Sequence, residues 1–264
     1  MILLINLCID HYIKKDLIMK DLTGKRALVT GGSRGIGAAI ALALADRGAD
    51  VAITYEKSAD RAASVVRTIG EKGRRGIAIQ ADSAEPAAVK RSVAETVAQL
   101  GGIDILVNNA GIARSGPLVE MSLDDIDALL NVNVRAAILV TQAAIPHLGP
   151  GGRIILIGSS LADRMIAPGV TVYSMTKSAQ VTLTRGLARE LAGRDITVNL
   201  VQPGATDTDM NPADGAMADG LRTMIPLGHY GTPEDVAAAV VFLASPAARQ
   251  INGSAITVDG GMNA

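Results

Sequence analysis

Aromatic side chains are nearly absent from this 264-residue chain, which has one Phe, four Tyr and no Trp. Such a chain offers few platforms for stacking bases, and its charge is balanced, with 25 Lys and Arg against 26 Asp and Glu. It has neither the rings nor the basic field of a nucleic-acid binder, so no nucleic-acid partner is expected. The only cysteine is Cys8, which can form no internal disulfide. The fold must stand on its packing, as expected in a reducing cytoplasm. His11, His147 and His229 are scattered without ligand spacing, and no metal site is expected. Long apolar runs are also lacking. The opening nine residues, MILLINLCI, are apolar but far short of the ~20 needed to cross a bilayer. They carry no basic n-region or small-residue cleavage site of a secretory signal. Residues 1–18 are therefore expected to be an extension, with a single domain opening at Met19 and running to residue 264. No later segment is expected to meet a membrane.

What the chain has instead is Ala, Val, Ile and Leu in an alternating pattern. Short β-branched runs stand at 26–30, 50–55, 76–80, 103–108, 153–158, 196–201 and 255–258, separated by longer Ala-rich stretches of helical period. Most runs are apolar on both faces, which calls for a parallel sheet covered by helices on both sides. The expected fold is a doubly wound α/β (Rossmann) domain with a seven-stranded parallel sheet. Helix punctuation agrees. Ser122 followed by Asp125, and Thr232-Pro233-Glu234, read as N-termini, while Gly48, Gly73, Gly101 and Gly193 stand where helices should stop. Arg74-Arg75 and Lys90-Arg91 read as solvated faces.

The first run is followed by Thr30-Gly31-Gly32-Ser33-Arg34-Gly35-Ile36-Gly37, which then opens a helix. Glycines there permit a tight turn and bring helix N-terminal amides close to a pyrophosphate. The spacing alone would also suit a plain glycine-rich turn. Further on lie Asn108-Asn109-Ala110-Gly111 after the fourth run, Asn133 in a long helical stretch and Ser160 after the fifth run. Tyr173 and Lys177 stand four apart, and Pro203-Gly204 follows the sixth run. Together these resemble the short-chain dehydrogenase/reductase family over residues 20–264, and the nearest-looking subgroup is the bacterial 3-oxoacyl-[acyl-carrier-protein] reductases.

The resemblance implies a nicotinamide dinucleotide held by Gly31, Ser33, Arg34, Gly35, Ile36 and Gly37. It adds Asp82 and Ser83 at the adenine, and Asn109, Ala110 and Gly111 beside the ribose. Pro203, Gly204, Thr206 and Thr208 lie near the carboxamide and phosphates. The family's NAD-selecting acid is replaced here by Tyr55, followed by Glu56, Lys57 and Ser58. Arg34 matches a position that faces a 2′-phosphate, so NADP(H) is favoured over NAD(H), with Glu56 as the dissenting residue.

Hydride transfer to a carbonyl also needs a proton for the developing alkoxide. At helical spacing Tyr173 and Lys177 project to one face, where the ammonium would pull the phenol toward the working pH. The family pattern adds Ser160 as substrate-oxygen ligand, at the expected offset before Tyr173, Asn133 in a proton relay and Lys177 on the nicotinamide ribose. The leading expectation is NADPH-dependent reduction of a 3-oxoacyl thioester carried on acyl carrier protein or CoA. Arg114, Arg135 and Arg164 are available to an acidic carrier. Two alternatives stand beside it: a reductase of another alcohol, sugar or metabolite carbonyl, and a cyclic di-GMP-binding regulator on the same fold. Residues 207–215 read equally as a substrate lid or a plain loop. Family members are commonly homotetramers that pair helices equivalent to 122–147 and 173–192.

Overall fold

The computed structural model describes residues 20–166 and 168–264; the expected extension 1–18, its boundary at Met19 and Cys8 lie outside them. Strand and helix alternate. The order is β1 (Arg26–Val29), α1 (Gly35–Asp46), β2 (Asp50–Tyr55), α2 (Ala59–Glu71), β3 (Gly76–Gln80), α3 (Pro86–Leu100), β4 (Ile105–Asn108) and α4 (Leu123–Leu130). Then come α5 (Ala136–Ala144), β5 (Arg153–Ile157), α6 (Thr171–Leu191), β6 (Thr197–Pro203), α7 (Ala218–Met224), α8 (Pro233–Ala244) and β7 (Ala255–Val258). The seven strands form one parallel sheet in the order β3-β2-β1-β4-β5-β6-β7. The expected runs and the observed strands agree to within two residues at each end.

The sheet is buried because each face has its own apolar cover. Ile40 and Leu44 of α1 pack with Val240 and Leu243 of α8 over Val29, Val51, Ile53 and Ile105. On the other face Val89 and Val93 of α3, Val140 of α5 and Leu191 of α6 cover Leu28, Leu106, Ile154 and Val198. Strand order reverses between β1 and β4, and the crevice beyond the carboxyl ends of those strands is where such a sheet receives ligands.

The helix ends follow the sequence with one exception. Ser122 caps α4 by accepting the Asp125 amide at 3.1 Å, and Thr232 forms a capping box with Asp235 at the start of α8. Gly48, Gly73 and Gly101 take the positive φ that stops a helix, whereas after α6 the left-handed residue is Asp195 (φ 56), not Gly193. Gly193 lies inside the 3₁₀ turn 192–194 that tightens the end of α6.

Two features were not foreseen. The helical stretch Leu123–His147 is long and apolar enough, by length and composition, to cross a membrane, although no such segment is expected from the sequence. Part of its apolar surface is used internally, since Leu129, Ala136, Ala137, Val140 and Ala144 are buried, whereas Leu123 and Ile138 are exposed. Arg74 and Arg75 are also fixed within the chain, although the Arg75 side chain stays 58% exposed. Asp50, at the start of β2, accepts from Arg74 Nη2 at 2.6 Å, from Arg75 Nε at 2.8 Å and from the Arg75 amide at 3.0 Å. Burial pushes the Asp50 carboxyl upward, but the Arg75 bonds and the Arg74 charge outweigh it and hold the group below the ordinary value of 3.8. A lowered pKa stabilises the fold above that value and loses the contribution as pH falls through the folded-state pKa. Asp50→Asn should therefore cost about 1–2 kcal/mol at pH 7, with a gap to the parent that narrows below pH 3.8. Urea unfolding at neutral and acid pH checks both halves.

Candidate active site

The turn after β1 is held by Thr30 and Asn109. The Thr30 hydroxyl accepts the amides of Asn109 and Ala110, each at 3.0 Å. Asn109 Nδ2 in return donates to the carbonyls of Thr30 at 2.9 Å and Gly31 at 3.1 Å. Gly31 and Gly35 sit at φ +65 and +51, which glycine alone adopts freely. At Gly37 the constraint is space, because a β-carbon would fall 2.3 Å from the Gly31 carbonyl oxygen and 2.4 Å from Asn109 Nδ2. The 12-residue α1 begins here with Arg34 at its N-cap and no side chain satisfying its first amides. Those N–H groups and the dipole face an open turn, a site suited to an anion.

Around this cradle the expected nucleotide residues divide. Ile36 and Tyr55 pack against the core cluster, so each anchors backbone as much as it offers a contact. Glu56, the dissenting acid after β2, makes an exposed ion pair with Lys57 at 2.8 Å; Ser58 stands at the N-cap of α2. Asp82 uses Oδ1 to accept the Ala84 amide at 2.8 Å, and Ser83 lines a small recess with Thr30, Asn108 and Ala110. Pro203 closes β6. Gly204 is required by packing, since a β-carbon there would meet Asp259 Cβ at 2.5 Å. Thr206 is buried and bonds the Gly204 carbonyl at 3.2 Å, while the Thr208 methyl would lie 3.4 Å from a β-carbon on Gly35. The segment after β6 thus leans over the glycine turn.

The second half of the site is a polar stripe on α6. Tyr173, Thr176, Lys177 and Gln180 follow helical spacing on one face, and the last three are buried. Lys177 Nζ donates to the Ile157 carbonyl at the end of β5, at 2.9 Å, and lies 5.9 Å from the Tyr173 ring centre. Complete burial lowers Lys177 to about 8. Burial also pushes the Tyr173 phenol upward, opposed in part by a hydrogen bond with the Ser159 hydroxyl. The expected pull of Lys177 on the phenol is therefore not what dominates; desolvation is, and Tyr173 holds its proton at neutral pH.

Asn133 is fully buried. Its Oδ1 accepts the Ile112 amide at 2.9 Å, and its Nδ2 donates to the Ile112 carbonyl at 2.9 Å and to Thr176 Oγ1 at 3.1 Å. Its own carbonyl accepts from Gln180 Nε2 at 2.8 Å. The residue sits in a π-helical turn (Asn131–Arg135) between α4 and α5, where the wider winding loosens the i→i−4 ladder. A β-carbon on Gly111 would stand 3.4 Å from both Asn133 Oδ1 and Lys177 Nζ, so the two halves of the site meet there.

Comparison with known proteins agrees with this geometry. A family model described as enoyl-(acyl carrier protein) reductase matches residues 31–263. The crystal structure of a short-chain dehydrogenase from Burkholderia cenocepacia J2315 in complex with NADP superposes with a TM-score of 0.92 at 60% identity, covering 92% of this chain and 100% of that one. The chain belongs to the short-chain dehydrogenase/reductase family. Within it, the cyclic-di-GMP-binding biofilm dispersal mediator protein of Escherichia coli K12 is 42% identical over 93% of this chain and 100% of its own length. The 3-oxoacyl-[acyl-carrier-protein] reductase of Staphylococcus aureus Mu50 is also 42% identical, over 90% and 98%.

Ser159, one residue before the expected Ser160, is the neighbour whose hydroxyl opposes the upward push on the Tyr173 phenol. The 3₁₀ turn Ser160–Ala162 begins directly after Ser159, whose Oγ also accepts the Leu161 amide at 3.2 Å. Ser160 is buried, and its carbonyl is held by Asn263 Nδ2 at 2.6 Å. Thr176 and Gln180 were legible as positions on the Tyr173 face but carry no family signature. Of the three arginines expected to meet a carrier, Arg114 pairs with Asp125 at 3.2 Å and Arg135 bonds the Ala84 carbonyl at 2.7 Å, so these two are engaged within the chain.

Proposed function

We propose that this protein reduces a carbonyl to a secondary alcohol with NADPH, and that its substrate is a 3-oxoacyl thioester. The observation that carries the reading is the buried Lys177, held to the Ile157 carbonyl 5.9 Å from the Tyr173 ring centre and beside Gly111 after β4. The cradle fits a dinucleotide: uncapped α1 amides for a pyrophosphate, Asn109 to Gly111 as a wall, and Arg34, with Glu56 paired to Lys57, for a 2′-phosphate. When bound, the nicotinamide supplies the hydride. The chain's own residues supply the rest. Ser159 donates a hydrogen bond to the substrate oxygen, and Tyr173 gives its proton to that oxygen as negative charge develops. Lys177, with a pKa of about 8, remains largely cationic at pH 7 and stabilises the phenolate left behind. Asn133 and Gln180 hold the floor through which the proton is replaced.

The scarcity of rings favours aliphatic acyl substrates over flat polycyclic ones. The carrier is CoA or acyl carrier protein, and exposed Leu123, Ile138, Met175 and Phe242 support assembly into a homotetramer. A second reading, a cyclic di-GMP sensor on the same scaffold, draws support from the 42% identity to the Escherichia coli mediator.

Purified protein should oxidise NADPH with acetoacetyl-CoA, followed at 340 nm. Ser159→Ala should lower kcat by about 10²-fold, whereas Ser160→Ala should change it less than about threefold. The reverse ranking restores Ser160 to the substrate oxygen. An absence of turnover across a broad carbonyl panel, together with tight cyclic di-GMP binding in calorimetry, replaces the reductase reading by the sensor.

A further inference from the structure

Three elements far apart in sequence place one acid between two bases at the edge of the cofactor cleft. Arg34 Nη1, from the glycine turn, donates to Asp209 Oδ2 at 3.2 Å, and Arg61 Nη1, from the first turn of α2, donates to the same oxygen. Asp209 comes from the segment after β6, immediately beyond Thr208, which already lies over Gly35. All three side chains are about half exposed, at 55, 57 and 50% for Arg34, Arg61 and Asp209. Two guanidiniums share one carboxylate, so a positive charge and most of the N–H donors remain unspent. The bonds from Arg61 and then Arg34 hold the Asp209 carboxyl below its ordinary range, so it stays anionic at neutral pH.

A dinucleotide with its pyrophosphate on the N-terminus of α1 runs its adenosine toward the end of β2, where Tyr55 replaces an acid and α2 begins. A 2′-phosphate on that ribose is a dianion with three acceptor oxygens, and at these two guanidiniums it would meet the Asp209 carboxylate as a like charge competing for the same cations. We propose that Arg61 is a second ligand for the 2′-phosphate and that Asp209 is an internal stand-in anion which the phosphate displaces. Binding of NADP(H), but not NAD(H), then releases residues 206–215 from the glycine turn and frees them to move over the substrate. The inference rests on Arg34 facing the 2′-phosphate, as in the proposed function.

Calorimetric titration of the full-length protein and its variants with NADPH, NADH and 2′,5′-ADP tests it. Arg61→Gln should weaken NADPH and 2′,5′-ADP about tenfold and leave NADH unchanged, as loss of one charge-assisted bond predicts. Asp209→Asn should tighten NADPH and 2′,5′-ADP about threefold, again without effect on NADH. Hydrogen exchange of residues 206–215 should quicken when 2′,5′-ADP binds the parent, and should already be fast in Asp209→Asn. Equal losses for NADPH and NADH in Arg61→Gln, weaker NADPH binding in Asp209→Asn, or unchanged exchange would overturn the proposal. Arg34→Gln separates the two levels. If it spares NADPH selectivity, the assignment of Arg34 to the 2′-phosphate falls; if it removes selectivity while Arg61→Gln does not, only the ligand role of Arg61 falls.

Discussion

Tyr173→Phe is expected to lower kcat for carbonyl reduction by roughly 10²–10⁴-fold, the usual worth of a positioned general acid, while NADPH affinity changes less than about threefold. The substitution removes one oxygen and keeps the ring. Ser159 retains the Leu161 amide as a partner, so its hydroxyl is not orphaned. Lys177 retains the Ile157 carbonyl. What disappears is the proton that must reach the substrate oxygen as hydride arrives. The pH profile gives a second readout. Because burial raises the phenol and lowers Lys177 to about 8, the group that titrates first as pH rises is the lysine. In the parent, kcat/KM for reduction should be level below pH 8 and fall above it, since a neutral Lys177 no longer stabilises the developing phenolate. Lys177→Ala should lose most of the activity together with that alkaline limb. Retention of more than a tenth of parent activity in Tyr173→Phe would assign the proton donor elsewhere.

The strands were legible because a sheet covered on both faces needs apolar residues in unbroken runs, and few other structures impose that demand on segments this short. The glycine turn was legible for a related reason: Gly31, Gly35 and Gly37 answer to backbone geometry and close approach, which no other residue satisfies. The π turn at 131–135 was not. Asn-Val-Asn-Val-Arg continues the apolar period of its neighbours, and one extra residue of winding leaves no compositional trace. The neighbour that acts on the phenol was not legible either. Counting back from Tyr173 assumes a fixed path between β5 and α6, but the 3₁₀ turn at 160–162 takes up chain there, and Ser159, the residue before it, bears on the phenol. The pairing of Arg74 and Arg75 with Asp50 was hidden because partners 24 and 25 residues apart meet only once β2 and β3 are aligned. Local chemistry can be read along the chain; contacts created by register cannot.

Gly37→Ala should weaken NADPH and NADH alike by more than about 100-fold, an effect unlike any expected from the arginines. The added methyl would fall 2.3 Å from the Gly31 carbonyl oxygen and 2.4 Å from Asn109 Nδ2. Neither neighbour can yield cheaply. The Gly31 carbonyl belongs to backbone fixed at φ +65, and Asn109 Nδ2 is held by two carbonyls at 2.9 and 3.1 Å. Relief therefore requires the turn to open away from α1, which turns the first helix amides from a common focus and breaks the Asn109 clasp. Overpacking of this kind costs about 1–3 kcal/mol, so the variant should still fold, with a melting temperature lowered by about 2–8 °C. Gly70→Ala is the control. It lies in α2 with nothing within 4 Å of its would-be β-carbon, and exchange for Ala there should be neutral or stabilise the fold by up to about 1 kcal/mol. Fluorescence titration of both variants with both nucleotides, beside thermal unfolding, separates the outcomes. Normal nucleotide affinity in Gly37→Ala would mean that the pyrophosphate does not rest on this turn, and the placement of the whole cofactor would have to be abandoned.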